Sequence, residues 1–305
     1  MSSELTWRRL ATRTLDCRPD QLDLIHTLDC GQAFRWRWQA DAAWIGVVGE
    51  LVVRVWRDGA IRYQAWPEEP DLWRYFRLDV DLAGLPRDAA LAEAMAVFPG
   101  LRVLGQPPLE TLLTFVCSPA SNIVRITRSV DLLARLYGQP IGAIDGQRYF
   151  AFPSLAALAA TTPGELMART GLGFRGRYLR AVADELLRRP SGWVDRLAGV
   201  DYDAARAALQ ALPSVGPKIA DCACLFGLCH DEAVPVDTHV WGLARELFPG
   251  EIPTRTLTPA AYGLVLGAFK RRYGRWAGWA QQYLYHARRV RRDLPMPSRV
   301  SLLRA

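Results

Sequence analysis

Lysine is almost missing from this chain. Of its 38 basic residues only Lys218 and Lys270 are lysines, and the other 36 are arginines. Arginine stays protonated under ordinary conditions, whereas a lysine amine can shed its proton and act as a nucleophile or form a Schiff base. Each lysine therefore asks for a reason, with chance replacement of arginine on a solvated face as the plain alternative. Long apolar runs are missing too. No stretch reaches the roughly 18 to 20 residues of a membrane span, and the opening MSSELTWRRLATRTLDC has no apolar core of a secretory signal. These gaps argue against a membrane partner and for an intracellular protein, in the cytoplasm or nucleoid of a bacterium or the nucleus of a eukaryote. No internal repeat, low-complexity tract or long linker stands out. The six cysteines, Cys17, Cys30, Cys117, Cys222, Cys224 and Cys229, are then expected to be reduced thiols. Their cluster CACLFGLC fits no zinc spacing, and its apolar filling suits a buried helix.

What is present is a chain of 305 residues, 50% hydrophobic, long enough for one large core or two smaller ones. A net charge of +7 permits a polyanionic partner without demanding one. From Gly31 to Trp66 apolar and polar residues alternate, with Asp58-Gly59 as a hairpin signal, which predicts an antiparallel sheet. From about residue 88 helical periodicity takes over, punctuated by Pro and Gly. PPLETLLTFVCS reads as a buried helix entered through Pro107-Pro108, NIVRITRSVDLLARLYG as an amphipathic helix ending at Gly138, and HARRVRRD as a solvated helix end or tail. The fold class is α+β: a sheet domain with flanking helices over residues 1–105, then a mostly helical domain over 106–305.

The stretch DYDAARAALQALPSVGPKIADCACLFGL reads as helix, tight turn, helix. Pro217 suits the first helical position, where its missing N–H costs nothing, and Gly216 tolerates unusual φ and lets another backbone come close. Free N–H groups at the start of the second helix are suited to a phosphate, so this is a candidate hairpin for gripping a nucleic-acid backbone without reading sequence. Lys218 falls in the first turn, where the helix dipole opposes a positive charge. Its alternative role is a salt bridge to a phosphate or carboxylate. Further on, in EAVPVDTHVWGLARELF, Asp237 or Thr238 can cap a helix; a carboxylate here can also stabilise positive charge developing on a sugar carbon.

With these motifs in hand, the sequence resembles the 8-oxoguanine DNA glycosylase/AP lyase family of the helix-hairpin-helix glycosylase superfamily. The resemblance runs from CGQAFRWRW through RYFRLDV, TFVCSPASNIVRIT, FPSL, GLGFRGRYL, LPSVGPKIADCACL and AVPVDTHVW to YGRWAGWAQQYLY, roughly residues 20 to 290. No cysteine follows Cys229, so the iron–sulfur set of endonuclease III relatives is absent, and no cofactor is expected to be required.

The resemblance implies a monomer that binds double-stranded DNA containing oxidised guanine, flips the damaged base and excises it opposite cytosine, with formamidopyrimidine guanine as a further substrate. Lys218 is then the nucleophile and Asp237 the carboxylate that stabilises charge and orients the amine. The Gly31 backbone would accept the extra N7 proton of the lesion, Gln281 would read the Watson–Crick edge, and Cys222 and Tyr285 would sandwich the base, although core packing also explains the last two. Arg125 and Arg175 would contact the orphaned cytosine and Phe174 would be the wedge. His239, Gly216 and Val215 would face the DNA backbone. Ala120 departs from the family, which commonly has asparagine there to fill the vacated space; Ser121 or Asn122 are the substitutes at hand. The backbone carbonyls of Gln210, Leu212 and Val215 match positions able to hold a monovalent or divalent cation. Two rivals remain: a monofunctional glycosylase that activates water, and a non-catalytic helix-hairpin-helix binding module.

Overall fold

A computed structural model describes residues 5–252 and 256–293, the side chains of 291–293 excepted. Five strands, β1 Arg13–Leu15, β2 Trp36–Trp38, β3 Ala43–Val48, β4 Leu51–Asp58 and β5 Ala60–Trp66, form an antiparallel sheet in the order β1-β5-β4-β3-β2. The expected hairpin turn is there. Asp58 pairs with Ala60 across Gly59 at φ 65, a left-handed residue that costs glycine little. Alternation sends Val53, Val55 and Ile61 into a core with Leu22, Trp36, Leu72 and Phe76.

Among the described residues fourteen α-helices accompany the strands. Two short ones, α1 Leu24–Leu28 and α2 Leu72–Tyr75, flank the sheet; α3 Ala89–Val97 puts Leu91 and Ala94 into the helical core instead, and α4 Pro108–Val116 and α5 Ile123–Tyr137 follow. After a second hairpin, β6 Pro140–Ile144 and β7 Gln147–Phe150, come α6 Leu155–Ala159, α7 Pro163–Arg169, α8 Arg175–Leu187, α9 Trp193–Arg196 and α10 Tyr202–Gln210. The chain finishes its described part with α11 Pro217–Phe226, α12 Thr238–Leu247, α13 Pro259–Tyr273 and α14 Ala277–Asp293. This is the expected α+β architecture. No helix among the described residues is long and apolar enough to cross a membrane.

Three local readings change. The β6–β7 hairpin lies where helices were expected, and it returns to the sheet: Ile144 packs with Val52 and Trp7, and a Cβ on Gly142 would strike Trp66 at 2.4 Å. Gly138 does end α5, but with φ −81 and ψ 155. It needs no left-handed freedom; a Cβ there would lie 1.9 Å from the Ala151 carbonyl oxygen, so close approach of the chain after β7 selects the glycine. The arginine-rich end is a helix end, and its first residues are not solvated, while the side chains of Arg291, Arg292 and Asp293 lie outside the described residues. His286 is buried, and the side chains of Arg288 and Arg289 are only 11% and 17% exposed.

Candidate active site

The hairpin is built as its residues dictate. Asp201 caps α10 by accepting from Ala204 N–H at 2.9 Å, and the turn closes with Val215 N–H donating to the Leu212 carbonyl at 3.3 Å. Pro217 occupies the first helical position of α11. The left-handed residue, however, is Ser214 at φ 61, while Gly216 is extended at φ −85, ψ 177. Glycine is therefore not selected there by backbone strain. A Cβ on Gly216 would meet nothing within 4 Å, and no side chain caps α11. The first-turn N–H groups remain unspent beside open space, the arrangement that receives an anion. Gln210, Leu212 and Val215 all lie on this segment, where the Leu212 carbonyl accepts from Val215 N–H.

Lys218 is half-buried on α11. Its ammonium lies 4.9 Å from the Phe115 ring centre and donates to Ser118 Oγ at 3.2 Å. The Ser118 hydroxyl itself donates to the Phe115 carbonyl at 2.7 Å, which turns an oxygen lone pair toward the amine. Ser118 and Phe115 belong to α4 and its exit, and sequence reasoning did not assign them a role. One turn along α11, Cys222 is buried; burial pushes its thiol up to about 12, Lys218 opposes the rise and Asp237 adds to it.

Asp237 is the N-cap of α12. Its Oδ1 accepts from His239 N–H at 2.9 Å and Val240 N–H at 2.8 Å, so the cap leaves Oδ2 unspent. The strap leading to it is anchored through Tyr262, whose hydroxyl accepts from Val236 N–H at 3.2 Å and donates to Asp221 on α11. Asp221 is fully buried and also accepts from the Tyr202 hydroxyl and Arg206 Nε, both at 2.7 Å. The ring of His239 stands edge-on to Tyr285 at 6.1 Å, and its Nδ1 is buried without a partner among the described residues.

Of the residues expected to bind the base, Gly31 and Tyr285 come together from opposite ends of the chain. Gly31 takes φ +83, and a Cβ on it would lie 2.7 Å from Ile123 Cδ1 and 3.9 Å from the Tyr285 hydroxyl. Here glycine is required by both conformation and space. Burial raises the Tyr285 phenol, and Asp237, Cys30 and Cys222 add to the rise. Gln281 is 3% exposed, and its Oε1 has no hydrogen-bond partner among the described residues. A buried orphan acceptor costs free energy unless a ligand or water completes it.

On the outer face, Phe174 is 44% exposed at the start of α8, with the Arg175 guanidinium 5.1 Å from its ring centre. Arg175 donates to the Leu172 carbonyl at 2.8 Å, and it opposes the burial that pushes the Cys117 thiol up to about 12. The turn after α4 holds Ala120 and the N-cap Asn122, and Arg125 follows in the first turn of α5. Arg125 is exposed. Asn122 Oδ1 caps α5 by accepting from Arg125 N–H at 2.9 Å, which leaves its amide NH2 for any other contact. Ala120 is exposed at φ 49, a left-handed conformation that asparagine tolerates better than alanine. Cys222 and Cys224 are buried and Cys229 exposed, and among the described residues no three His, Cys, Asp or Glu side chains form a metal-binding group.

Residues 14–112 match the family profile described as 8-oxoguanine DNA glycosylase, N-terminal domain. An N-glycosylase/DNA lyase of Arabidopsis thaliana is 36% identical over 284 residues, spanning 88% of this chain and 77% of the relative. An N-glycosylase/DNA lyase of Saccharomyces cerevisiae is 30% identical over 313 residues, spanning 87% and 83%. A crystal structure of the Clostridium acetobutylicum 8-oxoguanine glycosylase/lyase, in complex with double-stranded DNA containing cytosine opposite 8-oxoguanine, superposes with a TM-score of 0.80 at 28% identity over 89% of this chain and 93% of that one. The chain belongs to the 8-oxoguanine DNA glycosylase family of N-glycosylase/DNA lyases.

Proposed function

We propose that this enzyme excises 8-oxoguanine paired with cytosine from duplex DNA and then nicks the strand, with Lys218 as nucleophile. The observation that carries the reading is a half-buried Lys218 in the first turn of a helix that no side chain caps, tied through Asp221 and the Tyr262 hydroxyl to the Val236 amide next to Asp237, together with a buried Gln281 whose acceptor lacks a partner among the described residues. The base leaves the stack; its Watson–Crick edge meets Gln281 and its N7–H meets the Gly31 carbonyl, between Cys222 and Tyr285. The neutral amine of Lys218 attacks C1′, the C1′–N9 bond breaks and the base takes its electron pair, then a proton. Asp237 offsets the positive charge developing at the sugar. Ring opening gives the Schiff base, a base removes the C2′ proton, and β-elimination expels the 3′ phosphate. The α11 N-terminus at Gly216 holds a phosphate, and a cation on the carbonyls of Gln210, Leu212 and Val215 would add positive charge there.

Opposite the lesion, Arg125 and Arg175 offer only donors, and cytosine presents N3 and O2 acceptors side by side. Phe174 wedges the gap. The test pairs borohydride trapping with single-turnover excision of 8-oxoguanine opposite C, A, G and T. Trapping to a Lys218-containing peptide and fastest excision opposite C are expected. Excision without trapping points to water as the nucleophile, binding without excision to a non-catalytic module, and equal rates opposite A and C overturn the two-arginine account.

A further inference from the structure

The loop that carries Gly31 is fastened to α14 by contacts that the proposed chemistry does not use. Cys30 is fully buried. Its Sγ accepts from Gln282 Nε2 at 3.1 Å and donates to the Thr27 carbonyl at 3.3 Å. One turn along α14, His286 Nε2 meets His26 Nδ1 at 3.0 Å, and Phe98 packs edge-on against each ring at 4.7 Å. Further along, the Arg289 guanidinium donates to the Asp29 carbonyl. From the other side Gln32 Nε2 donates to the Thr27 and Arg102 carbonyls, both at 2.8 Å, and its Oε1 accepts from Leu104 N–H at 3.0 Å.

Helix geometry divides this labour. Gln282, His286 and Arg289 recur at spacings of four and three and so form one stripe. Gln281 and Tyr285 form the neighbouring stripe, about 100° round the helix. One helix therefore faces the base pocket with one stripe and grips, with the next, the residues flanking Gly31. Oxidation converts guanine N7 from an acceptor to a donor, so a single backbone carbonyl has to distinguish two bases. Recognition of that kind tolerates displacements of only about 0.5 Å.

We infer that Gln282, acting through Cys30, and His286, acting through His26, are positioning residues that fix Gly31 relative to Gln281 and thereby set the preference for the oxidised base over guanine. The inference rests on the base-pocket reading above. None of the four side chains touches DNA; each acts through the loop. The grip is chemically specific. Serine at position 30 keeps an acceptor for Gln282, whereas alanine removes it.

The test uses the full chain and three duplexes, carrying 8-oxoguanine, guanine or a preformed abasic site opposite cytosine. Gln282→Leu and Cys30→Ala are expected to lower single-turnover excision of 8-oxoguanine roughly tenfold, the value of about one hydrogen bond, and to narrow the affinity ratio between the 8-oxoguanine and guanine duplexes. Cleavage at the abasic site, which requires Lys218 but no base reading, stays at the wild-type rate. Cys30→Ser restores most of the loss, and His286→Phe, which keeps a ring against Phe98, acts in the same direction as Gln282→Leu. Abasic cleavage falling in step with excision in every variant means a general loss of fold and overturns the inference, as do unchanged rates and affinity ratios throughout. A wild-type protein that nicks abasic DNA but leaves 8-oxoguanine in place overturns the base-pocket reading itself.

Discussion

The proposed chemistry gives Asp237 a second task beside its helix cap, carried by a different part of the side chain, and substitution separates the two. Both cap bonds run to Oδ1, from His239 and Val240 N–H groups at 2.9 and 2.8 Å. The Asp237→Asn amide retains that oxygen, and asparagine and aspartate are nearly equal N-caps. What the amide gives up is charge, worth about 0.3 to 1 kcal/mol against the positive end of α12. Stability should therefore fall by at most about 1 kcal/mol, or roughly 2 to 4 °C in Tm. The chemical cost is larger, because the sugar cation loses its counter-charge: a rate loss on the order of 10²-fold or more, equivalent to about 2.7 kcal/mol. Asp237→Ala should show the same rate loss with about 1 kcal/mol further loss of stability from the vanished cap. Single-turnover excision at saturating enzyme, beside thermal melting, measures both quantities. A lowered Tm with an unchanged rate in Asp237→Asn would leave Asp237 as a helix cap and refute the electrostatic role.

Lys218→Gln should abolish excision and borohydride trapping while damaged-duplex affinity stays close to wild type; retained trapping would move the nucleophile to Lys270, which sits over the Tyr202 ring at 4.2 Å, or to the N-terminus. Ala120→Asn relieves a left-handed alanine at φ 49 and should raise stability by about 0.5 to 1 kcal/mol, read as a higher urea midpoint, with a firmer hold on the gapped duplex. Burial holds the imidazoles of His26 and His286 below their usual range, His286 at about 3, despite the carboxylates of Asp23 and Asp29 beside His26. Above pH about 6.5 both folded and unfolded chains carry these rings neutral. Below it the unfolded chain takes protons that the folded chain refuses, so stability falls by about 1.4 kcal/mol per pH unit for the proton of His286, down toward pH 3, and His26 adds to the fall in the same direction. His286→Phe should flatten the difference curve between pH 6 and 4; an unchanged slope would remove the pair from the acid response.

The sheet was legible because alternation has period two and Asp58-Gly59 announces its turn. The α10–α11 hairpin was legible because Pro217 marks a helix start. The β6–β7 hairpin carried a similar signal, Asp145-Gly146 at φ 48 and 74, but it is short and surrounded by helical periodicity. Glycines misled where their purpose is contact. Gly138 and Gly216 both have negative φ, and only the fold shows that one yields to a carbonyl and the other faces open space. Ser118 and Phe115 could not be tied to Lys218 from sequence because α4 and α11 meet only in three dimensions. The grip of Gln282 on Cys30 was hidden for the same reason, its partners lying at opposite ends of the chain.

Asp221 has a consequence for mutagenesis. Through the hydroxyl of Tyr262 it links the helix bearing Lys218 to the Val236 amide next to Asp237, and through Tyr202 and Arg206 it holds the helix before the turn. The residues proposed as nucleophile and counter-charge therefore hang on one buried carboxylate, and a substitution at Asp221 would disturb the amine and its partner together.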